Sequence, residues 1–191
     1  MSFEAIIRQY QLQPHEEGGY YSSPERSIYE TLSQEGTCRR AWSTIFYLLT
    51  AESPINYMNA NVSEIIHIYH SGLPVKYLLV NLNGELEHHM LGPDMSKGHT
   101  LKLVVPSGYW KSGVLQCSFE HEYGLISEVV VPSWAREDMT IITEKHISER
   151  FPSQSHLEQY LKSFCRPPFM STNIPNILCA KTNFNKMSDT R

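Results

Sequence analysis

The sequence predicts an all-β protein, an antiparallel barrel or jelly roll with a short helix at the N-terminus and another near the C-terminus. Three observations carry this reading. Short β-branched and aromatic runs recur at roughly even spacing, separated by Gly, Pro and Asn, which is the pattern of an antiparallel barrel. In the run from Glu64 to Gly72, His67 and Tyr69 alternate with Ile66, Ile68 and His70, so a strand aims the first pair to one face and the isoleucines to the other. A strand that is polar inside and apolar outside suits a barrel that holds a ligand. Helical periodicity occurs only at the two ends.

In chain order, Phe3, Ile6, Ile7 and Tyr10 form the apolar stripe of an amphipathic helix, predicted to be a lid or end-plug, and Pro14 forbids its continuation. Gly18-Gly19 then allows a sharp turn that carries His15 and Glu17 into a strand from Tyr20. The polar segment from Glu25 to Thr37 is a surface excursion. From Ala41 to Thr50, Trp42, Thr44, Phe46 and Leu48 share one face and Ser43, Ile45, Tyr47 and Leu49 the other, so this strand is buried on both sides. A strand from Val75 to Leu82, the turn Asn83-Gly84 and a strand from Glu85 to Leu91 make a hairpin. Strands follow over Leu101–Val105, Tyr109–Leu115 and Tyr123–Val131, with a tight turn at Pro106-Ser107-Gly108. Ser155 to Phe164 is helical, ended by Pro167-Pro168. Residues 1–165 are read as the barrel domain and 166–191 as a loosely attached polar tail.

The 191 residues, 41% hydrophobic and 19% charged, suffice for one domain with a substantial core. A net charge of −4 offers no basic surface for nucleic acid. The N-terminus has neither a basic n-region nor an apolar h-region, and no window supplies the ~20 apolar residues of a membrane span, so a cytoplasmic protein is expected. Cys38, Cys117, Cys165 and Cys179 show no metal-ligand spacing and read as reduced thiols.

Three motifs in the same order resemble a known family. The stretch from Ser63 to Gly72 is similar to the first conserved motif of the cupin_5 (DUF985) branch of the RmlC-like cupin superfamily. The stretch from Pro14 to Tyr20 resembles that branch's Pro-His-Pro-Glu-Gly-Gly-Tyr opening, and Val105 to Trp110 resembles its Val-Pro-Ala-Gly-x-Trp turn. The likeness runs from about Phe3 to about Phe164 and implies the double-stranded β-helix, the cupin jelly-roll barrel, usually paired as a homodimer. It also implies where a metal would be held, by three His and one Glu. At the aligned positions this chain has Asn59 in place of a His, Ala60 in place of an Arg, Ile65 in place of the Glu and Lys111 in place of the second-motif His. Amide oxygen is a poor ligand for such metals, and isoleucine and an ammonium are none, so neither a metal nor another cofactor is expected.

The catalytic candidates are therefore His67, Tyr69 and Lys111. His titrates nearest neutrality, Tyr can act as its proton-transfer partner, and a buried Lys can pair with an anion or, if desolvated, act as base or nucleophile. Ligand-binding candidates are Glu17, Asn59, Glu64, Lys102, Trp110 and Glu128. Lys102 shares strand parity with Val104 and faces inward only if Val104 does. Each has a bland counterpart: His67 and Tyr69 as pocket walls, Lys102 in solvent, Glu17 bracing a turn. The leading expectation is a barrel binding a small polar or anionic molecule, acting as a metal-independent isomerase, epimerase or lyase by proton transfer. The alternatives are a non-catalytic small-molecule binder, and a metal-dependent enzyme using His67, Glu64 and His15.

Overall fold

The computed structural model describes residues 2–33, 36–152 and 154–167. Beyond residue 167 the expected tail lies outside the described residues, as does Cys179.

Fourteen strands occur among these residues: β1 (Gln13–Pro14), β2 (Tyr20–Tyr21), β3 (Glu25–Arg26), β4 (Glu30–Leu32), β5 (Cys38–Arg40), β6 (Ser43–Thr50), β7 (Ile55–Asn61), β8 (Glu64–Gly72), β9 (Val75–Val80), β10 (Leu86–Leu91), β11 (Lys102–Val105), β12 (Trp110–Leu115), β13 (Tyr123–Val131) and β14 (Met139–Ile141). The first sheet runs β1-β2-β6-β13-β8-β11, with β3 also on β6. The second runs β10-β9-β12-β7-β14, and β4-β5 is a separate two-stranded sheet that begins in the polar excursion and ends just beyond it. All pairings between these strands are antiparallel.

The core lies between the two large sheets. Tyr47, Leu49, Ile65, Leu103, Ile126 and Val130 come from the first, and Val75, Tyr77, Leu79, Leu91 and Leu115 from the second. Alternation sends the intervening residues outward, where helices cover part of each sheet. Leu48 and Leu125 pack against Phe3 and Ile6 of α1 (Phe3–Tyr10). Eight residues are too few for a stable isolated helix, so it is this burial that holds α1 in place. It therefore lies across the outer face of the first sheet instead of plugging a barrel end. Met58, Leu78, Val80 and Trp110 on the second sheet pack under α2 (Glu144–Arg150) and α3 (Ser155–Lys162) through Ile147, Phe151 and Leu161.

α2 has no counterpart in the sequence reading. It is seven residues long, and Thr143 caps it, accepting from the His146 backbone N–H while the His146 ring accepts from the Thr143 backbone N–H. The Asn83-Gly84 hairpin forms with a longer loop than a two-residue turn. Asn81 leaves the strand so that its Oδ1 accepts from the backbone of Asn83 and Glu85. Cys38 and Cys165 are free thiols. Among the described residues no helix is long and apolar enough to cross a membrane.

Candidate functional site

The turn between β1 and β2 reaches from the first sheet to the second. Gly18 has φ +88°, and a Cβ there would collide with the Ile55 carbonyl, so only glycine permits the close approach. The approach lets Tyr57 N–H donate to the Glu17 carbonyl at 2.6 Å, and His15 Nδ1 accept from the Glu17 N–H at 3.1 Å. The Glu17 side chain is thereby aimed into the interior.

It meets two amides there. Asn56 Nδ2 and Asn59 Nδ2 each donate to Glu17 Oε2 at 2.9 Å. Strict alternation forbids residues three apart from sharing a face, but Lys111 pairs with Asn59 while Gly113 pairs with Asn56, so β7 carries one extra residue between them. That bulge turns both asparagines inward and leaves Met58 outside. Lys111 Nζ completes the cluster, 3.4 Å from Glu17 Oε2, 3.2 Å from Asn56 Oδ1 and 4.0 Å from Glu128 Oε1.

Glu128 faces His67 across the β13–β8 ladder. His67 Nδ1 lies 3.4 Å from Glu128 Oε1 and 3.2 Å from the Tyr77 hydroxyl. Glu128 Oε1 and His67 Nε2 are buried without a hydrogen-bond partner among the described residues.

The two carboxyl groups titrate differently. Burial raises the Glu128 carboxyl, and the nearby Glu17 charge adds to the rise while the Lys111 ammonium opposes it, leaving it at about 7. For Glu17 burial also acts upward, but Lys111, His15 and the Asn56 amide outweigh it and hold the group below its ordinary value. Burial works against the Lys111 charge, yet Glu17 and Glu128 lift it above its ordinary value, so it stays an ammonium and not a free-amine nucleophile. Burial, with the Lys111 charge, holds His67 well below its ordinary value, as neutral imidazole. Burial and the two carboxylates keep Tyr77 and Tyr47 as neutral phenols.

A cavity of about 340 Å³ opens above this cluster. Glu17, Lys111, Glu128 and Asn61 contribute to its polar surface, as do His15 and Glu16 of the turn, while Tyr21, Ile45, Ile65, Val130 and Trp134 supply apolar walls. This matches the usual makeup of small-molecule sites, a mostly apolar concavity with a few convergent polar groups.

The structure brings Glu17, Asn59, His67, Lys111 and Glu128 together and places four other predicted residues elsewhere. Tyr69 lies on the inner side of β8, but its hydroxyl donates to the Gly72 carbonyl at 2.6 Å and it does not line the cavity. Glu64 is exposed at the start of β8. Lys102 is exposed because Val104, which shares its parity, faces out. Trp110 sits on the opposite face of β12 from Lys111, packed beneath α2 with the Arg150 guanidinium 4.4 Å over its ring. His67 itself stands behind Glu128, fully buried and outside the cavity wall, so Glu128 holds the forward position expected of the histidine. Asn56, Tyr77 and the aromatic wall were not foreseen: Asn56 depends on the bulge, and Tyr77 lies in a run whose apolar residues read only as core.

Residues 4–142 match the Cupin_5 family, described as Cupin superfamily (DUF985). The chain belongs to this cupin family. An uncharacterized protein of Saccharomyces cerevisiae, YML079W, is 36% identical over 152 residues, covering 74% of this chain and 75% of that protein. Among solved structures, a hypothetical protein from Leishmania major superposes with a TM-score of 0.79 at 27% identity, over 87% of this chain and 100% of that one. Protein SO0799 from Shewanella oneidensis superposes with a TM-score of 0.76 at 21% identity, over 87% and 99%, and so shares the fold.

The metal that cupins usually carry does not fit these residues. Lys111 puts a fixed positive charge between Glu17 and Glu128, where a divalent ion would meet like charge, and Asn59 offers only a neutral amide oxygen in place of an imidazole. Among the described residues no group of three or more His, Cys, Asp or Glu has metal-holding geometry.

Proposed function

We propose that this cupin cavity binds a small polar molecule and moves a proton on it without a metal, as an isomerase, epimerase or lyase does. The observation that carries the reading is Glu128, a cavity-facing carboxyl held at about 7 beside a permanent ammonium. Two carboxyl groups whose surroundings push their pKa values apart have different tasks. Glu17, saturated by two amides and Lys111, anchors the ammonium. Glu128 is the group that exchanges a proton near neutrality. As carboxylate it takes the proton from a carbon next to a carbonyl, and the electron pair moves onto the carbonyl oxygen. Lys111, protonated and within reach of the same space, stabilises that oxyanion. Return of the proton to the same carbon is epimerisation, return to its neighbour is isomerisation, and loss of a β-substituent is elimination.

The test is exchange of substrate C–H with solvent. The protein is incubated in D2O with a panel of reducing sugars and other small neutral 2-hydroxy aldehydes and ketones, and proton NMR follows the loss of C–H signal. At least one class should exchange, and Glu128→Gln should slow that exchange by about 100-fold or more. Exchange that survives Glu128→Gln, or a panel in which nothing exchanges, refutes the assignment. Saturable binding without exchange would point to the alternative of a non-catalytic binder, which the apolar walls of Tyr21, Ile45 and Trp134 equally support.

A further inference from the structure

We propose that the cavity admits a small carboxylate only together with one proton, which is held on Glu128. The inference rests on the cavity and proton carrier described above and adds that a ligand carboxylate seated at Lys111 keeps Glu128 protonated and so blocks the base, while the substrate of the proton transfer presents a neutral carbonyl there.

The end of the cavity at Lys111 carries the carboxyl groups of Glu17 and Glu128; Glu16, paired with Arg136, and His15, kept neutral by burial, line the cavity as well. Three donors converge on Glu17 Oε2, from Asn56 and Asn59 at 2.9 Å each and from Lys111 at 3.4 Å. An acceptor so supplied stays ionised. The Lys111 charge is therefore already matched, and an ionised Glu128 leaves this end of the cavity with a net negative charge. A ligand carboxylate arriving there gains Lys111 but meets two carboxylates in a site largely shielded from water. Protonating one of them restores the balance.

Glu128 is the group placed to take that proton. The carboxyl lines the cavity, while its Oε1, buried against His67 and Lys111, has no hydrogen-bond partner among the described residues, so as a carboxylic acid its other oxygen can donate across to the ligand oxygen, two carboxyls sharing one proton. The charged and titratable groups around it are Lys111 from β12, Glu17 from the β1–β2 turn, His67 from β8, Tyr77 from β9 and Tyr47 from β6, with His15 and the Arg136-paired Glu16 of the same turn on the cavity wall. The two phenols are neutral, and a second positive charge on His67 would stand in the field of Lys111. Lys111 has a third N–H beyond those given to Glu17 and Asn56, and this is available to the ligand. The walls of Tyr21, Ile45, Ile65, Val130 and Trp134 suit an apolar or aromatic body. The ligand class is thus a small monocarboxylic acid with such a body.

Benzoate and benzamide are probes of nearly the same shape that differ in charge. Calorimetric titration in phosphate and in Tris, whose ionisation enthalpies differ, counts the protons taken up. At pH 8 benzoate should bind with uptake of about one proton, and its Kd should rise about tenfold per pH unit above about 7, where free Glu128 ionises. Benzamide should bind with no uptake and no pH dependence. Uptake should persist in His67→Gln and vanish in Glu128→Gln. Benzoate bound without uptake, uptake that survives Glu128→Gln, or folded wild-type protein that binds no benzoate at any pH overturns the proposal. The wild-type measurement needs no variant to fold. Loss of uptake alongside Glu128-dependent deuterium exchange would sink this inference and leave the catalytic reading standing. Uptake with no exchange across the panel would do the reverse.

Discussion

The Lys111 ammonium lies 3.4 Å from Glu17 Oε2 across 94 positions of sequence, and the pair ties the β1–β2 turn to the middle of β12 inside the protein. Removing one partner of a buried pair leaves the other charge uncompensated, which costs about 3–5 kcal/mol. Lys111→Met, which keeps most of the stem, is expected to lose about that much in urea denaturation. Adding Glu17→Gln to it should recover most of the loss, since the stranded carboxylate is then gone. A double variant as unstable as the single one would show that packing around the lysine stem matters, not its charge.

Glu128 makes stability depend on pH with a definite sign. Its carboxyl is raised from 4.5 to about 7 on folding, so between these values the native state holds a proton that the unfolded chain has released. Stability from this group is fully present below about 4.5, declines as pH rises through the window, and levels off above about 7. The full difference is about 3 kcal/mol. Glu128→Gln should therefore match wild type near pH 4.5 and exceed it at pH 8.5 by up to about that amount. Denaturation at the two pH values checks this, and a variant destabilised equally at both would contradict it. Glu17 acts oppositely: its lowered carboxyl contributes stability above its unfolded pKa, lost as pH falls through the folded one.

A homodimer is the expected state in solution. α1 covers the β6–β13 part of the first sheet's outer face, while Ile68 of β8 and Val104 of β11 are 37% and 44% exposed on the same face. Light scattering at micromolar concentration should return twice the 22.0 kDa chain mass, and Val104→Lys should lower it. A wild-type mass of 22.0 kDa would refute the pairing.

Strand existence was largely legible because it depends on local alternation and turn residues. Ala41–Thr50 reads as buried on both faces, and in the structure Tyr47 and Leu49 enter the core while Leu48 meets α1. The hairpin at Asn83-Gly84 was readable for the same reason, though its loop length was not, because Asn81 leaves the strand to bond its own loop.

Within the site, the sequence by itself determined that Lys111, Asn59 and Ile65 deny a metal its usual donors, since ligand chemistry belongs to residue type wherever the residue lies. It also determined that His67 points inward, by strand parity. Only the tertiary structure decided that the His67 imidazole would be walled off behind Glu128, that Trp110 would pack outward beneath α2, and that a one-residue bulge would turn Asn56 and Asn59 together onto Glu17. The physical reason is that a carboxyl's charge state depends on burial and on charges brought beside it from distant parts of the chain. Glu17, Lys111 and Glu128 come from a turn and two strands that meet only once both sheets have closed over the core.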